Sequence, residues 1–418
     1  MHGKHLRSSW LVGAWLLAGC GGAKQLQPPP CVDSAPAPSA QAPAASDSVC
    51  KFGGGAALPA PGADGAVAVA ASHPFVSYLG RVDCRASGGP MLGFVGASVR
   101  VRFVGTGLDL RLKDFGGGTP QTTNYYDVSI DGAPPQPLEV SPARELYPLA
   151  ANLSAGEHRV EIFKRIESAP GGSVGAGKAQ VLGFVLHGKQ LLPVALPGRR
   201  LEFIGDSITV GYGDEVSTMD PANAHYTTLG SNGHKAFGAV TAALLGARYM
   251  AVAYSGRGVS RNYAGSGGQL LPEMYLQSVP EEPSAGAWDP AQYTPDAVII
   301  NLGSNDFSTP GVDRVAFVDG YITFLTKLRG YYPKAMFVAA LGPMLSDVYP
   351  PGENAWTNAQ ADLKAAVDAR KRAGDGRIEI LLFATQEGPW GEDWHPTVAT
   401  HEKMAQELSA RLQTLMGW

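Results

Sequence analysis

Apolar side chains are spaced in two different ways along this chain. Between about Ala66 and Pro197 they recur at every second position, as in Ser98-Val-Arg-Val-Arg-Phe-Val104, Leu108-Asp-Leu-Arg-Leu112, Tyr126-Asp-Val-Ser-Ile130 and His158-Arg-Val-Glu-Ile-Phe163. A period of two buries one face of a strand. Asp131-Gly132 and Ala155-Gly156 punctuate these runs as turns. No helical stretch interrupts them, so residues 66–197 are predicted to form an antiparallel β-sandwich. After Arg200 the apolar residues gather instead into short unbroken runs: Leu201 to Ile204, Tyr249 to Tyr254, Ala297 to Leu302, Met336 to Leu341 and Ile378 to Phe383. Strands of that kind are covered on both faces. Between them Phe317, Tyr321, Phe324, Leu325 and Leu328 recur at helical spacing, and Lys235 to Leu245 runs up to Gly246, a helix stop. Alternating strand and helix predicts an α/β domain over 198–418, three layers with a parallel sheet between helices.

The first residues carry neither pattern. His2, Lys4, His5 and Arg7 precede an apolar stretch from Trp10 to Ala18, the order of an export signal, and that stretch is too short to span a bilayer comfortably. Leu17-Ala18-Gly19-Cys20 resembles a bacterial lipobox, which implies a leader over 1–19 and acylation of Cys20; a plain secretory leader is the alternative. Residues 20–65 are rich in Pro, Ala, Gly and Ser and nearly devoid of large apolar residues, which predicts a linker. The expected location is the cell envelope, at the outer membrane or cell surface, or the extracellular space, with the membrane touched only through the lipid anchor.

Charge and cysteines narrow the picture. With 33 basic and 37 acidic residues among 418 and a formal net charge of -4, scattered along the chain, there is no electrostatic footprint for nucleic acid. If Cys20 is lipidated, Cys31, Cys50 and Cys84 leave one pair and one spare thiol in an oxidising compartment. No Cys-x-x-Cys, His-Glu-x-x-His or phosphate-binding Gly-x-x-x-x-Gly-Lys-Ser/Thr occurs, so neither a metal nor a nucleotide cofactor is expected.

The chemistry sits in four blocks. Gly205-Asp206-Ser207 follows the first unbroken strand directly and would expose the Ser207 hydroxyl on a strand-to-helix turn, although such a triplet alone is common in capped turns. Ser255-Gly256-Arg257-Gly258, Gly303-Ser304-Asn305-Asp306 and Asp393-Trp394-His395-Pro396 follow later strands or lie near the C-terminus. Together the four blocks resemble the SGNH, or GDSL-type, hydrolase superfamily. The resemblance is closer to carbohydrate esterase family 2, whose acetyl esterases place a jelly-roll sandwich before the hydrolase domain. Glu202-Phe-Ile-Gly-Asp-Ser-Ile-Thr-Val-Gly-Tyr-Gly213, Asn301-Leu-Gly-Ser-Asn-Asp-Phe307, Asp393-Trp-His-Pro396 and, in the sandwich, Gly96-Ala-Ser-Val-Arg-Val-Arg-Phe-Val-Gly-Thr-Gly107 carry the likeness, which runs from about Phe75 to the C-terminus.

A serine hydroxyl needs a base to attack an acyl carbonyl, and His395 is the matching residue. Pro396 suits the first turn of a helix marked by Val398, Met404, Leu408, Leu412 and Leu415. A carboxylate would orient the imidazole. Here the sequence departs from the wider superfamily, because the aspartate usual three residues before the histidine is Glu392. The family form favours Asp393; Glu392, or a backbone carbonyl in a serine-histidine dyad, are the alternatives. The resemblance implies an oxyanion hole of the Ser207 and Gly256 N–H groups and the Asn305 amide. Asp206 and Asp306 read as loop-fixing residues, and Trp394 as a residue that stacks on a sugar ring or packs under the C-terminal helix.

The implied function is a serine esterase that removes O-acetyl groups from an acetylated polysaccharide or oligosaccharide, such as xylan or mannan, through an acyl-enzyme. Two rivals remain: a GDSL-type lipase, lysophospholipase or thioesterase, and a non-catalytic carbohydrate-binding protein built on the sandwich.

Overall fold

The computed structural model describes residues 48–168, 177–282 and 285–418. Residues 1–19, Cys20 and Cys31 therefore lie outside the described residues, as does most of the linker.

The alternating segment forms ten antiparallel strands: β1 (Val67–Ala70), β2 (Ser77–Leu79), β3 (Val82–Asp83), β4 (Met91–Leu92), β5 (Ser98–Asp114), β6 (Asn124–Ile130), β7 (Gln136–Val140), β8 (Leu146–Ala150), β9 (Gly156–Lys164) and β10 (Ala179–Leu192). They make one continuous sheet, ordered β3-β4-β10-β5-β9-β6-β7, with β1 on β10 and β2 and β8 on β5. The two apolar runs read separately at Ser98–Val104 and Leu108–Leu112 are a single 17-residue strand. Its register against β10 shifts around His187 and Gly188, and its other partner changes there from β9 to β8. Such a bulged corner lets one long strand serve both halves of a folded sheet without ending. Val99, Val101, Phe103, Leu108, Leu110 and Leu112 all point into one core with Val160, Ile162, Phe184 and Leu186. Asp131 and Gly132, both at positive φ, make the turn between β6 and β7.

The second half holds five parallel strands, β11 (Arg199–Gly205), β12 (Ala247–Ala253), β13 (Ala297–Asn301), β14 (Met336–Leu341) and β15 (Ile378–Leu382). Every residue of β13 and β14 is buried, as unbroken apolar strands require when helices cover both sheet faces. The helices are α1 (Ser207–Val210), α2 (Phe237–Leu244), α3 (Leu271–Met274), α4 (Ser304–Phe307), α5 (Arg314–Tyr331), α6 (Ala355–Arg372) and α7 (Val398–Met416). The Asp313 carboxylate accepts from Ala316 N at 3.0 Å and caps α5, whose Phe317, Tyr321, Phe324, Leu325 and Leu328 form the buried stripe anticipated by their spacing. At α7 the cap is Thr397, so Pro396 lies just outside the helix and not in its first turn.

The strand order is β12-β11-β13-β14-β15. The chain leaves β11 for one neighbour, β12, and then crosses to the other side of β11 to form β13. Connections on either side of β11 thus diverge at its carboxyl end, the position at which open α/β sheets bind ligands. Ser207 stands at that point, between the loops that follow β12 and β13.

The described residues form one compact unit. A buried ion pair joins its two sheets: Arg81, just before β3, donates to Glu202 of β11 at 3.0 Å and to the carbonyl of Tyr275 at 2.7 Å, with its guanidinium 4.5 Å from the Trp288 ring centre. Both charged side chains are fully buried, so each depends on the other to offset its lost hydration. Cys50 and Cys84 form a disulfide, one of the pairings left open by the sequence.

Candidate active site

The last residue of β11, Gly205, has no room for a side chain: a Cβ there would lie 1.9 Å from Thr209 Oγ1 and 3.1 Å from the Asn301 carbonyl. Asp206 follows in extended geometry and caps α1, its Oδ1 accepting from Ile208 N at 3.0 Å. This places Ser207 at the first position of the helix with its N–H pointing away from the helical ladder. Ser207 Oγ lies 2.8 Å from His395 Nε2. The two residues are 188 positions apart in sequence, and both are buried, each with 8% of its surface exposed.

The other ring nitrogen decides what orients the base. His395 Nδ1 lies 3.0 Å from the Glu392 carbonyl oxygen and 3.1 Å from that of Asp393. Carbonyls only accept, so Nδ1 carries the proton and Nε2 presents its lone pair to Ser207. The expected contact from the Asp393 carboxylate is therefore not formed. That carboxylate instead accepts from Tyr212 OH at 2.7 Å, from Tyr226 N at 3.1 Å and pairs with His225 Nδ1 at 3.0 Å. Burial pushes its pKa up, but these three donors outweigh burial and hold it below the usual carboxylate range. The Glu392 carboxylate is turned away as well, accepting from Thr227 N at 2.8 Å and Thr227 Oγ1 at 2.7 Å. The alternative in which a backbone carbonyl orients His395 is the one the geometry realises.

The cause is local backbone. Asp393 and Trp394 both lie at positive φ, 48° and 63°, inside the short 3₁₀ turn Glu392–Trp394. Two successive left-handed residues turn the carbonyls of this loop toward the imidazole, at a cost of about 1–3 kcal/mol for each such non-glycine residue. Surrounding bonds hold the loop: Asp393 N donates to Ala224 O at 2.7 Å, Glu392 N to Gly213 O at 3.1 Å and Gly391 N to His395 O at 2.7 Å. Tyr212, which the motifs did not single out, stacks on the imidazole with ring centres 4.0 Å apart while donating its hydroxyl to Asp393.

The remaining predicted groups meet at the same place. Gly256 follows β12 with φ of 76°, a conformation that favours glycine, and a Cβ there would meet no atom within 4 Å. Positive φ, and not crowding by the protein, is the reason for glycine. Among the described residues neither Ser207 N–H nor Gly256 N–H donates to a protein acceptor. Asn305 lies in α4, and its Nδ2 donates to the Arg257 carbonyl at 2.9 Å and makes a longer 3.3 Å contact with Asp206 Oδ2. Asp306 fixes the loop after β12 through Val259 N, Ser260 N and Arg261 N, as expected of a loop-fixing residue. Trp394 is 49% exposed beside His395, so its indole is free to meet a ligand and does not pack under α7. Among the described residues no cluster of side chains suited to a metal ion occurs.

Such a site can take a proton from a hydroxyl and stabilise a developing oxyanion. Burial lowers the His395 pKa to about 4, against the opposing pull of the two carbonyls. The imidazole must be neutral to act as base, so kcat/KM for a short aryl ester is expected to stay level well below pH 6.5 and to fall only as pH drops through about 4. A pH–rate profile checks this; an acid limb centred near 6.5 would place the imidazole in a water-like environment instead.

Fold and site together define a carboxylic ester hydrolase of the SGNH type. Residues 78–194 match the family model for the carbohydrate esterase 2 N-terminal domain, and residues 203–403 that of the GDSL-like lipase/acylhydrolase family. The solved structure of a family two carbohydrate esterase from Clostridium thermocellum, in complex with cellohexaose, superposes with a TM-score of 0.74 at 33% identity, covering 82% of this chain and 99% of that one. A family two carbohydrate esterase from Cellvibrio japonicus superposes with a TM-score of 0.73 at 27% identity, covering 84% and 98%. The chain belongs to carbohydrate esterase family 2. Among curated relatives it is 33% identical over 353 residues to the cellulase/esterase CelE of Acetivibrio thermocellus, of whose length it spans 40%. It is 28% identical over 358 residues to an acetylxylan esterase / glucomannan deacetylase of Cellvibrio japonicus, spanning 91% of that protein.

Proposed function

We propose that this esterase removes O-acetyl groups from polysaccharide by an acyl-enzyme route. The 2.8 Å contact between Ser207 Oγ and His395 Nε2, with Nδ1–H held by backbone carbonyls, carries the reading. His395 takes the Ser207 proton as Oγ attacks the acetyl carbonyl. The oxyanion forms against the N–H groups of Ser207 and Gly256, and the Asn305 amide turns from its longer contact with Asp206 to join them. Preorganised donors of this kind contribute on the order of 3 kcal/mol each to the transition state. His395 then protonates the sugar oxygen as its bond to the acyl carbon breaks, and water, deprotonated by the same imidazole, attacks the acyl-enzyme and releases acetate as the proton returns to Ser207.

Polysaccharide is supported by the relatives, one acting as an acetylxylan esterase and glucomannan deacetylase and another holding cellohexaose, and by the exposed Trp394 indole at the rim. Acetate release from acetylated xylan and glucomannan is expected to exceed hydrolysis of a long-chain lipid ester. Clear preference for the lipid ester would favour the lipase rival.

Export with a lipid anchor on Cys20 completes the proposal. The lipobox-like Leu17-Ala18-Gly19-Cys20 and the Cys50–Cys84 disulfide, at home in an oxidising compartment, support it. Cys20→Ser protein is expected to move from the membrane pellet to the soluble fraction; persistence in the pellet would rule out the anchor.

A further inference from the structure

One buried carboxyl of the sandwich reaches the hydrolase loops. Glu167 lies three residues beyond the end of β9 and is almost wholly buried. Its Oε2 accepts from Ser255 N at 2.7 Å, and its Oε1 has no hydrogen-bond partner among the described residues. Ser255 is the residue immediately before Gly256, so this bond holds the peptide plane next to the N–H assigned to the oxyanion. Two residues earlier on the same segment, Arg165 grips the loop after β11: its Nη2 donates to Glu215 Oε2 at 2.8 Å and to the Leu229 carbonyl at 3.1 Å, while its own carbonyl accepts from Gly233 N at 2.7 Å. One short stretch of the sandwich therefore ties down the loop after β11 and the loop after β12.

We propose that Glu167 is a positioning residue for esterolysis: by accepting the Ser255 N–H it aims the adjoining Gly256 N–H at the oxyanion, so that the sandwich domain completes the oxyanion hole. The inference rests on the assignment of Gly256 under the proposed function. A buried side chain that touches the neighbouring peptide, and not the substrate, affects the orientation of a donor, which changes transition-state stabilisation more than ground-state binding. Charge matters at the same point. Burial raises the Glu167 pKa to about 8, against the pull of Ser255 and Arg257, so the group is mostly neutral at pH 7. Around it stand Arg257 and Glu281, which pair with each other, Lys164 at the end of β9, Tyr226 from the loop after β11, and Tyr254. Ionisation above pH 8 sets a negative charge one peptide from the developing oxyanion and opposes it.

Three readings of the folded, full-length enzyme test this, with an aryl acetate as substrate. Glu167→Met fills the space but accepts no hydrogen bond; its kcat is expected to fall roughly ten- to a hundredfold with KM within about twofold, the size of loss that a small misplacement of a catalytic group brings. Glu167→Gln keeps a carbonyl acceptor and is expected to retain kcat at pH 7 and to extend the plateau above pH 8, where the wild type declines. Hydrogen exchange at the Ser255 amide is expected to quicken in the Met variant and stay slow in the Gln variant. Wild-type kcat and exchange in the Met variant would overturn the inference, as would a Gln variant as impaired as Met or with the wild-type alkaline limb. Should the Met variant not fold, the Gln variant alone decides. Exchange is read without turnover, so a failure of the esterase reading, seen as an active Ser207→Ala protein, is distinguishable from a failure of this one.

Discussion

Ser207→Ala is expected to lower kcat on an acetate ester by about four to six orders of magnitude with the fold unchanged. The argument is positional. Ser207 Oγ is the hydroxyl that bonds the imidazole, at 2.8 Å, and it stands at the switch point of the parallel sheet with the loops after β12 and β13 on either side. Deleting one oxygen from a helix N-terminus opens no appreciable cavity and removes no cap, since Asp206 supplies the cap. Thermal unfolding should therefore match the wild type while turnover vanishes. What survives is the residual rate that an oxyanion hole confers on water attack. Steady-state assay beside a melting curve is the measurement, and turnover within tenfold of wild type in a folded Ser207→Ala protein would remove Ser207 from the mechanism.

The second large effect separates two arrangements of the base. His395→Ala should cost about as much as loss of the serine, because nucleophile and base act as a unit. Asp393→Asn should cost less than about tenfold, although in a carboxylate-oriented triad the same change costs about four orders of magnitude by favouring the wrong tautomer. Here the tautomer is set by the carbonyls of Glu392 and Asp393, which the substitution leaves in place. An asparagine oxygen can still accept from Tyr212 OH and Tyr226 N, so the loop and the stacked tyrosine keep their support. The carboxylate charge that faces exposed His225 is lost, and charged contacts that face solvent contribute little. A loss of about four orders of magnitude for Asp393→Asn would show that the carboxylate reaches the imidazole in the working enzyme.

The stack of Tyr212 on His395 adds a feature that no motif carried. Tyr212 occupies the fifth position after Ser207, inside the first block, where it reads as part of Gly211-Tyr-Gly213. Its role appears only when the C-terminal loop is folded beside it, so that one ring packs on the base and one hydroxyl occupies the carboxylate that would otherwise be the natural partner of Nδ1.

Much of the architecture was legible because it rests on local periodicity. Burial of β13 and β14 on both faces and of the α5 stripe follows directly from which residues are apolar and how far apart they stand. The corner in β5 was not legible: Gly105-Thr-Gly107 looks like an interruption, and whether a strand breaks or bends there depends on partners far along the chain, β9 on one stretch and β8 on the next.

For the site, the sequence by itself determined the set of candidate groups, through four ordered blocks and the family they resemble: a serine after a strand, a glycine and an asparagine in later loops, a histidine before the last helix. Only the tertiary structure decided how they are wired. Whether Asp393, Glu392 or a carbonyl faces His395 turns on two left-handed residues and on donors about 170 positions away, and the pairing of Cys50 with Cys84 and the reach of Glu167 to Ser255 likewise join residues that no local pattern links. A short-range pattern can state which side chains are present; the direction in which each points is set by backbone torsions and by hydrogen bonds from distant segments, which exist only once the chain has closed on itself.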